Sequence, residues 1–232
     1  MIDTINFVQR GVLHKETGTY VVSDTHYGYG YRDRASVEEK SNKQVTKQLT
    51  DVLYDNEDDI DTLVFAGDVI EHFSGAPTKT RQSLANLNST LAGLQMSLVL
   101  IPGNHDKEDL KNFFPEATVN SEYKFGAILA AHGDTNTETE AELYITGHLH
   151  PGVNIQGTNW PCYLFGENEY RNEDVLVLPP FNPNVNLLPV TEGRVSSKYI
   201  NRIEAFRPFV WDDETRTVRE FPPLQQSSKY FG

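Results

Sequence analysis

Apolar residues follow two rhythms along the chain, and their alternation is the first structural signal. Three five-residue runs, Thr19–Ser23, Thr62–Ala66 and Ser97–Ile101, have the length and β-branched content of buried strands. Between the first two, Val45, Leu49, Val52 and Leu53 fall at i, i+4, i+7 and i+8, one face of a 3.6-residue period. Ser36 and Glu39 precede that stripe with the spacing of a capping box, and Asn56 with an acidic turn ends it. Pro77 opens a second helical stretch in which Leu84, Leu87, Leu91 and Leu94 share a face. Strands alternating with helices in this way predict parallel pairing through right-handed crossovers.

The second half changes rhythm. After a short helix expected near Lys107–Phe114, the runs Ala127–Ala131, Leu143–Thr146, Cys162–Phe165 and Val175–Leu178 are separated by loops and no clear helix. They imply a second sheet packed on the first. Phe206–Trp211 and Thr217–Phe221 flank Asp212-Asp213-Glu214 as a hairpin, and residues 224–232 read as a flexible tail. No repeat, low-complexity tract or linker divides the 232 residues, so one domain spanning 1–232 is expected.

Composition narrows the class. With 38% hydrophobic and 23% charged residues, disordered and fibrous classes are excluded. The single cysteine, Cys162, forms no internal disulfide and no thiolate cage, which fits a buried thiol in a reducing compartment. The start Met1-Ile2-Asp3-Thr4 lacks a basic, apolar leader, and no run reaches the roughly 18 residues of a membrane span, so a cytoplasmic location without a membrane partner is expected. A net charge of −13 argues against non-specific binding to duplex nucleic acid, and it also fits a salt-rich cytoplasm or an ordinary acidic enzyme.

Ligand-type side chains stand where the apolar runs stop. Asp24 and His26 follow the first run, Asp68 the second, Asn104, His105 and Asp106 the third, His132 the fourth, and His148 and His150 the fifth. Sites in open α/β sheets form beyond the carboxyl ends of the strands, so this placement gathers distant residues into one crevice. Five of the seven histidines sit in these clusters, leaving His14 and His72 as surface or satisfied core residues. Imidazole nitrogens mixed with carboxylate and amide oxygens suit manganese, iron, zinc or cobalt better than calcium or magnesium. Seven candidate donors exceed one tetrahedral site and match two ions sharing a carboxylate.

Five ordered motifs carry a family resemblance: Asp24-Thr25-His26, Gly67-Asp68-Val69-Ile70-Glu71, Gly103-Asn104-His105-Asp106, His132-Gly133 and Gly147-His148-Leu149-His150. The chain resembles the calcineurin-like metallophosphoesterases. Pro151 and the segment Leu178-Pro179-Pro180-Phe181-Asn182-Pro183 are similar to the small subfamily associated with DNA ligases and helicases in bacteria and archaea. The resemblance implies an α/β fold, a two-sheet β-sandwich flanked by α-helices in four layers. It implies that Asp24, His26 and His150 hold one divalent ion, that Asn104, His132 and His148 hold the other, and that Asp68 bridges them. Manganese is the first choice for both ions.

The reaction implied is in-line attack on phosphorus by a hydroxide held between the ions. His105 protonates the leaving oxygen, and Asp106 fixes its tautomer. Glu71 reads either as the orienter of a ligand or as a solvent-facing carboxylate. The loop Tyr27–Arg34 mixes aromatics with arginine next to the first motif, and within it Tyr27 and Arg32 are candidate substrate-binding residues, packing being the alternative for the tyrosines. The expected substrate is a phosphodiester of a nucleotide or single-stranded nucleic acid, with a helicase or ligase as partner. A phosphomonoesterase and a non-catalytic scaffold with the same fold are the alternatives.

Overall fold

Strand alternation decides where each apolar side chain goes. The computed structural model describes residues 2–32, 35–71, 76–107, 109–192, 195, 197–227 and 230–231. Its first half forms β1 (Asn6–Val8), β2 (Gly11–His14), β3 (Thr19–Val22), α1 (Ala35–Asp55), β4 (Thr62–Ala66), α2 (Thr78–Gly93), β5 (Ser97–Ile101) and β6 (Thr118–Val119). These strands make one six-stranded sheet in sequence order. β3, β4, β5 and β6 pair in parallel, as the strand and helix alternation predicts. On one face Tyr20, Val22, Leu63, Phe65, Leu98 and Leu100 meet the helical stripes, including Val45, Leu49, Leu84 and Leu87. On the other, Val21, Val64, Ala66, Val99 and Ile101 face the second sheet. Both faces are dry, which is why these runs are continuously apolar.

The second half forms β7 (Glu122–Phe125), β8 (Ile128–Ala131), β9 (Leu143–Thr146), β10 (Pro151–Ile155), β11 (Thr158–Tyr170), β12 (Glu173–Val177), β13 (Leu188–Pro189), β14 (Arg207–Asp212) and β15 (Thr217–Glu220). They build a nine-stranded sheet along the path β13-β10-β11-β12-β9-β8-β7, with β14 and β15 added on β11. Ile128, Ala130, Leu143, Ile145, Phe165 and Leu176 close the inter-sheet core. The opposite face, with Leu129, Tyr144, Leu164 and Val175, is covered by the C-terminal segment through Tyr199, Ile203, Phe206 and Phe231. The α/β class and the two-sheet sandwich are as expected, with both α-helices on one outer face and irregular chain on the other.

Local expectations fared unevenly. α1 begins at Ala35, so Ser36 lies inside its first turn and the capping box does not form. The Glu39 carboxylate instead pairs with Lys43 at 2.8 Å and with Lys79. The helix expected near Lys107–Phe114 is a single 3-10 turn, Leu110–Asn112, capped by Asp109. The tail expected at 224–232 is docked in its described part, because the outer face of the second sheet needs cover: Ser227 and Phe231 are buried, and Phe231 lies 5.1 Å from the Phe221 ring. The 212–214 turn does join an antiparallel pair, with Asp212 opposite Thr217. His14 is a satisfied core residue 2.9 Å from Thr17 Oγ1, and Cys162 is a buried free thiol whose pKa burial pushes up. His72 lies outside the described residues. Among the described residues no helix is long and apolar enough to cross a membrane.

Candidate metal centre

Parallel strands deliver their C-terminal ends to one edge, and every expected donor sits just beyond such an end. Asp24 and His26 follow β3, Asp68 follows β4, Asn104 follows β5, His132 follows β8, and His148 and His150 follow β9. The backbone turns sharply here. Asp24 (φ 54), His26 (φ 41), Asp68 (φ 48), His148 (φ 69) and His150 (φ 51) all take left-handed conformations, which cost a non-glycine residue about 1–3 kcal/mol each. Such angles persist where surrounding bonds over-determine them. Asp24 N donates to Gly67 O at 3.1 Å, His26 N to Asp68 O at 2.9 Å, and His148 N to the Asp24 carboxylate at 3.0 and 3.2 Å. Gly67 (φ +92) admits the imidazole of His132, since a Cβ there would lie 1.9 Å from His132 Nδ1.

The donors fall into two groups with one shared member. Asp24, His26, Asp68 and His150 form the first, and Asp68, His132 and His148 the second; within each group the donor atoms lie within 4.8 Å of one another. Asn104 Oδ1 joins the second at 3.1 Å from His132 Nε2. His26 Nε2 and His150 Nε2 are 3.1 Å apart, and His148 Nδ1 and His132 Nε2 are 3.2 Å apart. The outer ring nitrogens explain this convergence. His26 Nδ1 faces Glu71 Oε2 at 2.5 Å, His132 Nδ1 faces Ala66 O at 3.3 Å, and His150 bonds the backbone of Asn186. With N–H turned outward, the opposite nitrogen of each ring presents its lone pair inward. Converging nitrogen and oxygen lone pairs without sulfur fit a pair of divalent transition ions.

Electrostatics follow from the crowding. Burial raises the Asp24 carboxyl, but His150, His132 and His26 outweigh it and hold the group below the usual carboxylate range. Burial lowers His150, and the Asp24 carboxylate more than offsets this. Burial and the neighbouring His132 both lower His148. Glu71 is raised by burial, and contacts with His105 and His26 hold it well below its ordinary value.

His105 and Asp106 divide their roles differently from the expectation. His105 Nδ1 lies 3.0 Å from Glu71 Oε2, off the line of an ideal hydrogen bond, and this carboxylate raises the imidazole pKa. Asp106 faces away. Its carboxylate accepts from Val69 N at 3.1 Å, Ile70 N at 2.9 Å and Gly103 N at 2.9 Å, so it ties the loops after β4 and β5 together rather than fixing the His105 tautomer. Burial pushes its pKa up to about 6 against those three bonds. Glu71 is the residue that sequence reasoning left undecided; its spacing within Gly67–Glu71, three positions after Asp68, was the available signal.

The substrate loop is split. Tyr27 is fully buried under α1, its hydroxyl 3.3 Å from Thr46 Oγ1, and it has no face for a substrate, which corrects the stacking role. Burial raises its phenol pKa. Arg32 is exposed, its guanidinium 5.8 Å from the Tyr31 ring centre and within electrostatic reach of Glu71. Asp33 and Arg34 lie outside the described residues.

The model of the calcineurin-like phosphoesterase family matches residues 19–226. No curated protein matches the chain significantly. Among solved structures, the nuclease MPE of Pseudomonas putida superposes with a TM-score of 0.69 at 18% identity, covering 94% of both chains. The E. coli phosphoesterase Yfce (TM-score 0.44, 14% identity) covers 88% of this chain and 98% of its own. A conserved uncharacterised protein of Streptococcus pneumoniae, a predicted phosphoesterase (TM-score 0.32, 15% identity), covers 88% of this chain and 95% of its own.

Proposed function

The chain belongs to the calcineurin-like phosphoesterase family and is a hydrolytic enzyme, and from that premise we propose that it uses two divalent ions, manganese first among them, to cleave phosphodiesters of nucleotides or single-stranded nucleic acid. The observation that carries the two-ion reading is Asp68, whose carboxylate belongs to both donor groups. When bound, such a pair supplies an acidified water and positive charge for the phosphoryl oxygens. Asp24, His26 and His150 hold one ion; Asn104, His132 and His148 hold the other.

The protein's own side chains complete the chemistry. His105, half-buried at the edge of the first donor group, has its imidazole pKa raised by the Glu71 carboxylate and is the proton donor to the leaving oxygen. Glu71 also holds His26, so one carboxylate aligns the acid and a ligand. Asp106 keeps the loops of Asp68 and Asn104 in register. Arg32, at the rim, offers a planar fork to a phosphate. The diester preference rests on the shared fold of the P. putida nuclease, an analogy at the level of fold.

Metal-free protein reconstituted with Mn²⁺, Zn²⁺, Fe²⁺ or Mg²⁺ tests the reading when each form is assayed on a monoester, a cyclic diester, a linear diester and single-stranded DNA. The proposal predicts fastest turnover of linear diester or single-stranded DNA with Mn²⁺. Preference for the monoester by every metal form contradicts the substrate class. On the preferred substrate, Arg32→Ala raises KM several-fold; an unchanged KM removes Arg32 from substrate binding.

A further inference from the structure

Phe181 and Asn182 close over the first metal loop from the side that the strands leave open. Phe181 N donates to Ser23 O at 2.9 Å, and Asn182 N lies 3.4 Å from Asp24 O. The Asn182 carboxamide continues along the same backbone, with Nδ2 3.0 Å from Thr25 O and 3.4 Å from His26 O. Four successive carbonyls, Ser23 through His26, thus face donors from two residues far along the chain. The amide side of this loop is held by the other strand end, with Asp24 N on Gly67 O, His26 N on Asp68 O and Tyr27 N on Val69 O. A segment containing two left-handed non-glycine residues, Asp24 and His26, is bonded on both edges.

Asn182 is itself fixed. It is fully buried, and its Oδ1 accepts from Asn184 N at 3.0 Å, which settles which end of the carboxamide faces the loop. Buried Ser41 of α1 anchors it further, with Oγ 3.1 Å from Asn182 Nδ2 and 3.3 Å from Oδ1. The carboxamide therefore couples the first helix to the loop that carries Asp24 and His26. Left-handed backbone at such residues relaxes unless its surroundings over-determine it.

We propose that Asn182 is a positioning residue that holds Asp24 and His26 in ligand geometry before an ion arrives. It strengthens ion binding at the first donor group by reducing the reorganisation that binding must drive, and it leaves the second group alone. The inference rests on the reading of Asp24 and His26 as ligands.

Asn182→Asp is the decisive variant, because it keeps shape and the Oδ1 acceptor while turning a carboxylate oxygen toward the Thr25 and His26 carbonyls. In an Asn104→Ala background, Mn²⁺ calorimetry on the metal-free protein reads the first group; in a His150→Ala background it reads the second. The expected result is a 10–100-fold weaker first group, the range found for residues that orient ligands, with an unchanged second group. Hydrogen exchange at Thr25–Tyr27 should also quicken in the metal-free protein. Unchanged affinity and exchange overturn the proposal. Equal weakening of both groups also overturns it, as the mark of a general folding role. If Asn182→Asp does not fold, Ser41→Ala decides: a several-fold loss confined to the first group supports the proposal, and no loss overturns it. Parent protein that binds no Mn²⁺ removes the ligand reading itself, which is distinct from a parent that binds and a variant that matches it.

Discussion

Glu71 shows how much one carboxylate can decide. It lies 2.5 Å from His26 Nδ1 and 3.0 Å from His105 Nδ1, so in the proposed mechanism it aligns a ligand and raises the pKa of the acid together. A raised imidazole pKa keeps the proton to higher pH, and the acid form is lost as pH rises through that value. Glu71→Gln should therefore lower kcat about 10–100-fold and move the alkaline limb of the kcat profile to lower pH on a substrate with a poor leaving group. An unmoved limb would remove Glu71 from proton transfer. Asp106→Ala makes a contrasting prediction: three backbone N–H groups lose their acceptor, at about 1–3 kcal/mol for each left unsatisfied. Denaturant unfolding of the metal-free variant should show a loss of about 3 kcal/mol or more, and a loss below about 1 kcal/mol would show that other acceptors replace the carboxylate. Sequence adjacency suggested that Asp106 serves His105, but successive residues of a tight loop point to different sides. The spatial partner, Glu71, comes from another strand end and was legible only as a spacing.

At the scale of elements, strands such as β3, β4, β8 and β9 were readable because their runs are apolar on both faces, and the helices because only one face is. Val45, Leu49, Val52, Leu53, Leu84, Leu87 and Leu91 are all buried. The capping box was not, because its spacing is also that of an ordinary first turn and Lys79 of α2 competes for Glu39. The docked C-terminus was illegible for a related reason: Phe231 gains its partner, Phe221, only once the last hairpin is in place. The candidate donor positions could be proposed because a strand end is marked by a stop in the apolar run and by polar residues, at several ends with a glycine beside them. Gly67→Ala tests that logic. A methyl 1.9 Å from the His132 ring nitrogen must push the imidazole out of the second group or shift β4. The variant should lose the second ion in calorimetry and at least about 1 kcal/mol of stability from the positive φ alone. Retention of two ions at parental affinity would mean that the loop relaxes freely.

Over the whole molecule, two sheets are needed for one candidate site, since β3, β4 and β5 of the first and β8 and β9 of the second each contribute candidate donors. Acid should dismantle this assembly in two stages. Ions leave first, as protons compete with them for the imidazole lone pairs. The folded carboxyls of Asp24 and Glu71 sit below their ordinary values, so their stabilising effect is present above about pH 4.5 and is lost as pH falls through the lower folded values. Urea titrations of metal-free protein should show stability declining from about pH 4.5 downward, and a flat profile would show these contacts to be inert. The most direct test of the central claim is anomalous scattering from crystals of the protein grown with Mn²⁺. Two peaks about 3.5–4 Å apart, both adjacent to the Asp68 carboxylate, are predicted; a single peak, or none, would contradict a shared pair of ions.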